Sequence, residues 1–209
     1  MAPLTQGESD PHLFTQGQAH LWVPEEQKFM FVAGANALKK DLPLKKSFLY
    51  SVFNSDDVEE LEDIRLRREM CSLVLIGGVR NGRKYDSKVL AVGGWSNQLT
   101  GAYQSACDIF DLQLDLWKTT CRLGTDRLAP FAVCLGGESA LIVGGTQRSH
   151  VSQEEKLVRG CEILDTKAKR SYCPASKYRV PEGAKTILGL FLLASEVQGP
   201  PGEMEADER

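Results

Sequence analysis

The chain carries one pattern twice, about 50 residues apart. Lys88-Val-Leu-Ala-Val-Gly93-Gly94 ends a short apolar run on a double glycine, and Ala140-Leu-Ile-Val-Gly144-Gly145 does the same. The segment from Ala106-Cys-Asp-Ile-Phe-Asp111 to Trp117 then finds its match in Gly160-Cys-Glu-Ile-Leu-Asp165 to Tyr172. Gly94 and Gly145 are 51 residues apart, and Cys107 to Cys161 and Asp111 to Asp165 are each 54. A fixed period of this size marks a repeat architecture, in which each copy is one small unit that cannot bury its apolar face alone.

Local chemistry says what each unit is. An apolar run of strand length ahead of Gly-Gly reads as a buried strand, and the glycines let the backbone bend where a Cβ would clash. Asp111 and Asp165 stand where an Asx-type turn starts. Trp117 and Tyr172 return the chain as the next strand and offer a large apolar plug between neighbouring sheets. Each unit is expected to be a small antiparallel sheet.

Two more double glycines, Gly77-Gly78 and Gly136-Gly137, close the apolar strands Cys71 to Ile76 and Ala129 to Leu135. A fainter copy lies upstream, where Lys28-Phe-Met-Phe-Val-Ala33-Gly34 stands 60 residues before Gly94 with alanine in the first glycine's place. Phe48 to Asn54 there occupies the position of the segment around Asp111. With the spaced aromatics Trp117 and Tyr172, these features make the chain resemble the kelch-repeat proteins. The resemblance implies an all-β fold, a kelch-type β-propeller, partial or small, of antiparallel four-stranded blades. Approximate repeats are 20–77, 78–136 and 137–195, after a flexible lead over 1–19 and before a disordered acidic tail over 196–209. Propellers typically have about 4–8 blades. Closure is therefore expected from a degenerate fourth blade, from copies of the chain associating, or from a longer product.

Composition is that of an ordinary globular domain, with 42% apolar and 25% charged residues among 209. The net charge of −3 is carried by the tail, where Glu203, Glu205, Asp207 and Glu208 stand against Arg209. A near-neutral body gives no footprint for nucleic acid or an anionic membrane. The longest apolar run, Thr186 to Ala194, is strand-sized and well short of the ~20 residues a spanning helix needs. The N-terminus lacks the basic start and apolar middle of a secretory signal, which points to the cytoplasm. The six cysteines, at 71, 107, 121, 134, 161 and 173, fall at repeat-related strand positions and form no Cys-x-x-Cys pair. They read as small core side chains rather than disulfides or zinc ligands.

Residues 55–70 are ambiguous. Acids from Asp56 to Asp63, bases from Arg65 to Arg68, and Val58, Leu61 and Ile64 at every third position suit a capped helix. The repeat asks instead for turn, strand and loop. Gly77 to Gly82 has phosphate-loop spacing, but Arg83 and Lys84 follow where Lys and Ser or Thr belong, and Asn81-Gly82 reads better as a hairpin turn.

Candidate partner-binding residues lie in the loops after the double glycines: Trp95, Asn97 and Gln98 in one, Arg148 and His150 in the other. The three histidines, His12, His20 and His150, are scattered, no nucleophile elbow is present, and no cofactor is expected. The kelch resemblance implies a protein-interaction scaffold or adaptor, with ubiquitin-ligase and cytoskeletal adaptors as familiar roles. Its partner would be another protein, or a second copy completing the propeller. A propeller enzyme acting on a sugar or other small molecule is the competing class, and a truncated fragment without function a third.

Overall fold

A computed structural model describes residues 17–35, 44–54, 57–77, 87–96, 102–148 and 154–174. The N-terminal lead before Gly17, the acidic tail and the run Thr186 to Ala194 lie outside these residues. All regular structure among them is strand, arranged as three antiparallel four-stranded sheets. The first holds β1 (Ala19–Val23), β2 (Lys28–Val32), β3 (Ser47–Tyr50) and β4 (Val58–Leu61). The second holds β5 (Ser72–Ile76), β6 (Lys88–Val92), β8 (Ala102–Asp111) and β9 (Leu116–Arg127), with the short β7 (Trp95–Ser96) paired to β8. The third holds β10 (Phe131–Gly136), β11 (Ser139–Val143), β14 (Glu162–Asp165) and β15 (Arg170–Tyr172). A separate ribbon pairs β12 (Thr146–Arg148) with β13 (Glu155–Leu157).

The first sheet starts where the repeat 20–77 does, whereas the second and third begin one strand earlier than the repeats 78–136 and 137–195. The strand before Gly77 pairs with β6 and the strand before Gly136 pairs with β11, so those boundaries cut through hairpins. The helix reading of 55–70 is overturned. Val58 to Leu61 pairs with β3 residue for residue, so cross-strand hydrogen bonding overrides the local helical pattern.

The sheets stack through their faces. Met30, Val32, Leu49 and Leu61 of the first meet Val89, Ala91, Phe110 and Trp117 of the second in one buried cluster. Val74, Leu90, Val92 and Cys107, on the opposite face of the second sheet, meet Ala140, Ile142 and Leu164 of the third. Strand alternation makes this work, since neighbouring residues point to opposite faces and each sheet can pack on both sides. The first strands of the sheets, β1, β5 and β10, run side by side along one edge of the stack.

Two arginines tie sheet to sheet. The Arg68 carbonyl accepts from Gly34 N–H in the first sheet at 3.1 Å. Its guanidinium donates to Gly93 O at 3.2 Å and Ala106 O at 3.1 Å, and pairs with Asp108, all in the second sheet. Arg127 repeats this one sheet on. Its carbonyl accepts from Gly94 N–H at 2.8 Å, and its guanidinium reaches Gly144 O at 2.7 Å, Gly160 O at 2.9 Å and Glu162 Oε1 at 2.8 Å. All four charged side chains are buried. Glu162 is one methylene longer than Asp108 and also accepts from Arg127 Nε, whereas Arg68 Nε has no hydrogen-bond partner. In the first sheet Phe48 holds the place of these acids. It lies across from Phe31 as Asp108 lies across from Ala91 and Glu162 from Ile142.

The double glycines serve two different ends. Gly93-Gly94 and Gly144-Gly145 have positive φ where the chain leading to the next sheet crosses against them. A Cβ at Gly145 would sit 2.7 Å from Leu128 O, and one at Gly93 2.5 Å from Arg127 O. Gly136 ends β10 and Gly137 opens the turn to β11, with nothing within 4 Å of an added Cβ at either position.

Gly136→Ala is expected to cost about 1–2 kcal/mol, the left-handed backbone penalty alone. Gly145→Ala should cost clearly more, because a carbonyl must also move, and urea unfolding midpoints of the two variants check the order. Glu162→Gln leaves Arg127 buried without its charge partner and should cost roughly 3–5 kcal/mol by the same measurement.

Candidate protein-binding face

The first sheet packs through Ala19, Leu21, Val23, Met30, Val32, Leu49 and Leu61, so the intervening residues of β1, β2 and β3 point away from the stack. Those residues are His20 and Trp22, Phe29 and Phe31, and Phe48 and Tyr50. They form a ladder of rings. Trp22 and Phe29 meet edge to face with centroids 5.1 Å apart, Phe29 and Phe31 are 6.3 Å apart, Phe31 and Tyr50 6.3 Å, and His20 and Phe31 6.2 Å. Cross-strand register produces the contacts, since Trp22 lies opposite Phe29, Phe29 opposite Tyr50 and His20 opposite Phe31.

The corresponding face of the second sheet carries Val89 and Ala91 at the positions of Phe29 and Phe31, and there it packs on the first sheet. At these two positions small aliphatics suffice inside the stack, where Phe110 and Trp117 on the neighbouring strands supply the rings, whereas on the outer face β2 itself carries them. Phe48 is buried, Phe29, Phe31 and Tyr50 are half-buried, and Trp22 is 36% exposed. Beside them the β3–β4 turn holds out Val52 and Phe53, the latter 81% exposed. Glu25 and Glu26 in the β1–β2 turn and Glu59 and Glu60 on β4 give the surroundings an acidic character, with Lys28 held by Asp57 at 3.0 Å and Glu59 at 3.4 Å.

The loop residues singled out from the sequence are placed differently. Trp95 is in strand rather than loop. It lies opposite Tyr103, exchanges both backbone hydrogen bonds with Glu69 at 2.9 and 3.0 Å, and is half-buried. The chain returning from Arg68 fixes it there, as Leu128 beyond Arg127 fixes Thr146. Arg148 ends β12 and is exposed. Asn97, Gln98 and His150 lie outside the described residues, as does Gly78.

Among the structural residues, Gly34, Gly93, Gly94, Gly144 and Gly145 adopt positive φ beyond the second strand of their sheets. Gly77 ends β5 and donates to Gly137 O at 2.8 Å. Trp117 is the expected plug, 2% exposed, with Nε1 donating to Ser47 Oγ at 3.2 Å and Glu62 O at 3.0 Å in and beyond the first sheet. Tyr172 is not its counterpart. Trp117 lies across from Phe110, and the residue across from Leu164 is Ser171, so Tyr172 falls one position on, turns to the opposite face and is 48% exposed. The sequence reading missed the aromatic ladder and the Arg68 and Arg127 pairs. The aligned acids in Ala106-Cys-Asp108 and Gly160-Cys-Glu162, and the arginines 59 residues apart, were the available signal.

Among the described residues no three His, Cys, Asp or Glu side chains cluster as a metal site. Among the described residues no helix is long and apolar enough to cross a membrane. No protein-family model matches the chain, and a search of curated proteins finds no match.

Tyr103, buried in β8 with its hydroxyl donating to Glu155, is pushed up to about 12, first by burial and then by that hydrogen bond. The fold favours its neutral form. This contribution is complete below the ordinary tyrosine value of 10.0 and is lost as pH rises towards about 12. Absorbance titration at 295 nm should show a late-ionising step that Tyr103→Phe removes.

Proposed function

We propose that the chain forms three blades of a kelch-type propeller and works in the cytoplasm as a protein-interaction scaffold, seating a partner protein on the aromatic outer face of its first sheet. The ladder of Trp22, Phe29, Phe31 and Tyr50 carries this reading. Rigid aromatic area that is only half-covered is the composition of interface hot spots. The exposed Val52 and Phe53 beside it extend the same surface, and an apolar patch of several side chains, unlike a single exposed one, marks an interaction site. The acidic surroundings suit a partner with an apolar centre and basic residues around it. The propeller part is supported by repeated Gly-Gly bends, the repeated arginine ties and the first strands lying side by side.

A second copy is favoured as that partner by the far end of the stack. Val133, Leu141, Val143, Cys161 and Ile163 of the third sheet occupy the positions at which Val74, Leu90, Val92, Cys107 and Ile109 of the second sheet meet the third. A first sheet from another copy docked there, twice over, closes a ring of six sheets.

Two measurements test these readings. Light scattering on a sizing column should give twice 23.1 kDa if copies close the ring, and a monomer sinks that part. Cross-linking mass spectrometry in cell extract, with Trp22→Ala/Phe53→Ala beside wild type, tests the face. Partner peptides should fall at least tenfold in the double variant while its melting temperature holds. Partners kept by that variant and lost by Arg148→Ala would move the binding surface to the loops.

A further inference from the structure

Cys107 and Cys121 lie directly opposite each other on β8 and β9. Both side chains belong to the cluster between the second and third sheets, Cys107 fully buried and Cys121 half-buried at its margin. All six cysteines are free thiols. Directly opposed residues of an antiparallel pair have Cα atoms about 4.5–5.5 Å apart, inside the span of about 4.4–6.8 Å that a disulfide bridges. The pairing slips immediately beyond them, where Asp108 faces Thr119 and Thr120 is the extra residue. Such a bulge gives the backbone local freedom to adjust as a bond forms.

The Cys107 thiol donates to Ser105 O at 3.6 Å. Interaction between the two facing thiols, foremost, lowers Cys121 below the ordinary thiol value and raises Cys107 well above it. Cys121, half-buried at the margin of the cluster, is the sulfur a small oxidant reaches first, and the fully buried Cys107 stands directly behind it. By contrast, burial drives the isolated Cys71 up to about 11.

We propose that Cys107 and Cys121 form a redox pair that a peroxide closes into a disulfide between β8 and β9. The Cys121 thiolate attacks one oxygen of hydrogen peroxide, breaking the O–O bond and releasing hydroxide, which leaves with a proton as water. Cys121 becomes a sulfenic acid. The Cys107 sulfur then attacks the Cys121 sulfur, the S–O bond breaks, and the departing hydroxide takes the Cys107 proton. Two thiols are oxidised and one peroxide is reduced to two waters. The closed bond joins the strand carrying Asp108 to the strand that ends in Arg127, so it sets covalently the spacing of two strands that hold the sheets together.

The test uses the full chain, treated with hydrogen peroxide, blocked with an alkylating agent and digested without reduction. Cleavage after Lys118 and Arg122 separates the two cysteines. The expected product is a Cys107–Cys121 linked peptide pair, lighter by two hydrogens, that dithiothreitol reverses. It should form undiminished in Cys173→Ser, which lacks the exposed thiol, and vanish in Cys121→Ser, where Cys107 should stay reduced. A Cys121 that goes on to sulfinic acid with no linked pair overturns the proposal. So does oxidation confined to Cys173, or Cys107 bonding to another cysteine.

Discussion

Each sheet of this protein is held to the next by one buried guanidinium. A buried ion pair is a poor source of net stability, since desolvation offsets most of the attraction. Its value lies in specificity. Arg68 and Arg127 each offer their carbonyl to a glycine of the sheet they leave and their guanidinium to a glycine carbonyl and a carboxylate of the sheet they enter. Apolar faces of Val, Leu and Ala would pack in several registers. Five fixed donors on a planar fork accept far fewer. The double glycines follow from this constraint, because the arginine's segment crosses where a Cβ would meet a carbonyl.

The outer face of the first sheet repeats this design with no further sheet against it among the described residues. Positions that carry Val89 and Ala91 inside the stack carry Phe29 and Phe31 outside it, and the strand before them carries Trp22. Aromatic rings in edge-to-face and tilted contact with one another hold a fixed order, losing few rotamers when something docks. The scaffold reading rests on this difference between equivalent positions.

Much of the architecture was legible in the sequence. Strand identity, hairpin turns and the glycine bends are written in short patterns, and the 54-residue match of Asp111 with Asp165 corresponds to equivalent turns. What failed was register. Tyr172 was aligned with Trp117 by residue type, yet strand pairing puts Ser171 there, and a slip of one residue changes the face entirely. A related ambiguity surrounds Gly77 and Gly136, which look like the ends of units but stand between antiparallel partners of one sheet. The candidate site was the least legible part. Aromatics in strands read as core until one knows that their sheet is the outermost of the described ones, and that is a fact of tertiary arrangement. Trp95 misled in the opposite sense, a conspicuous loop residue that the backbone of Glu69 recruits into a bridge.

Phe48 gives the stack a direction. With phenylalanine where the second and third sheets hold Asp108 and Glu162, the first sheet has no buried carboxylate at that position to receive an arginine from a sheet placed before it. The centre of its outer surface is therefore apolar, and its acids, Glu60 opposite Phe48 among them, stand exposed at the margin. Whatever meets that surface is selected at the centre by shape and ring packing and only at the rim by charge, and need not resemble the sheets that follow.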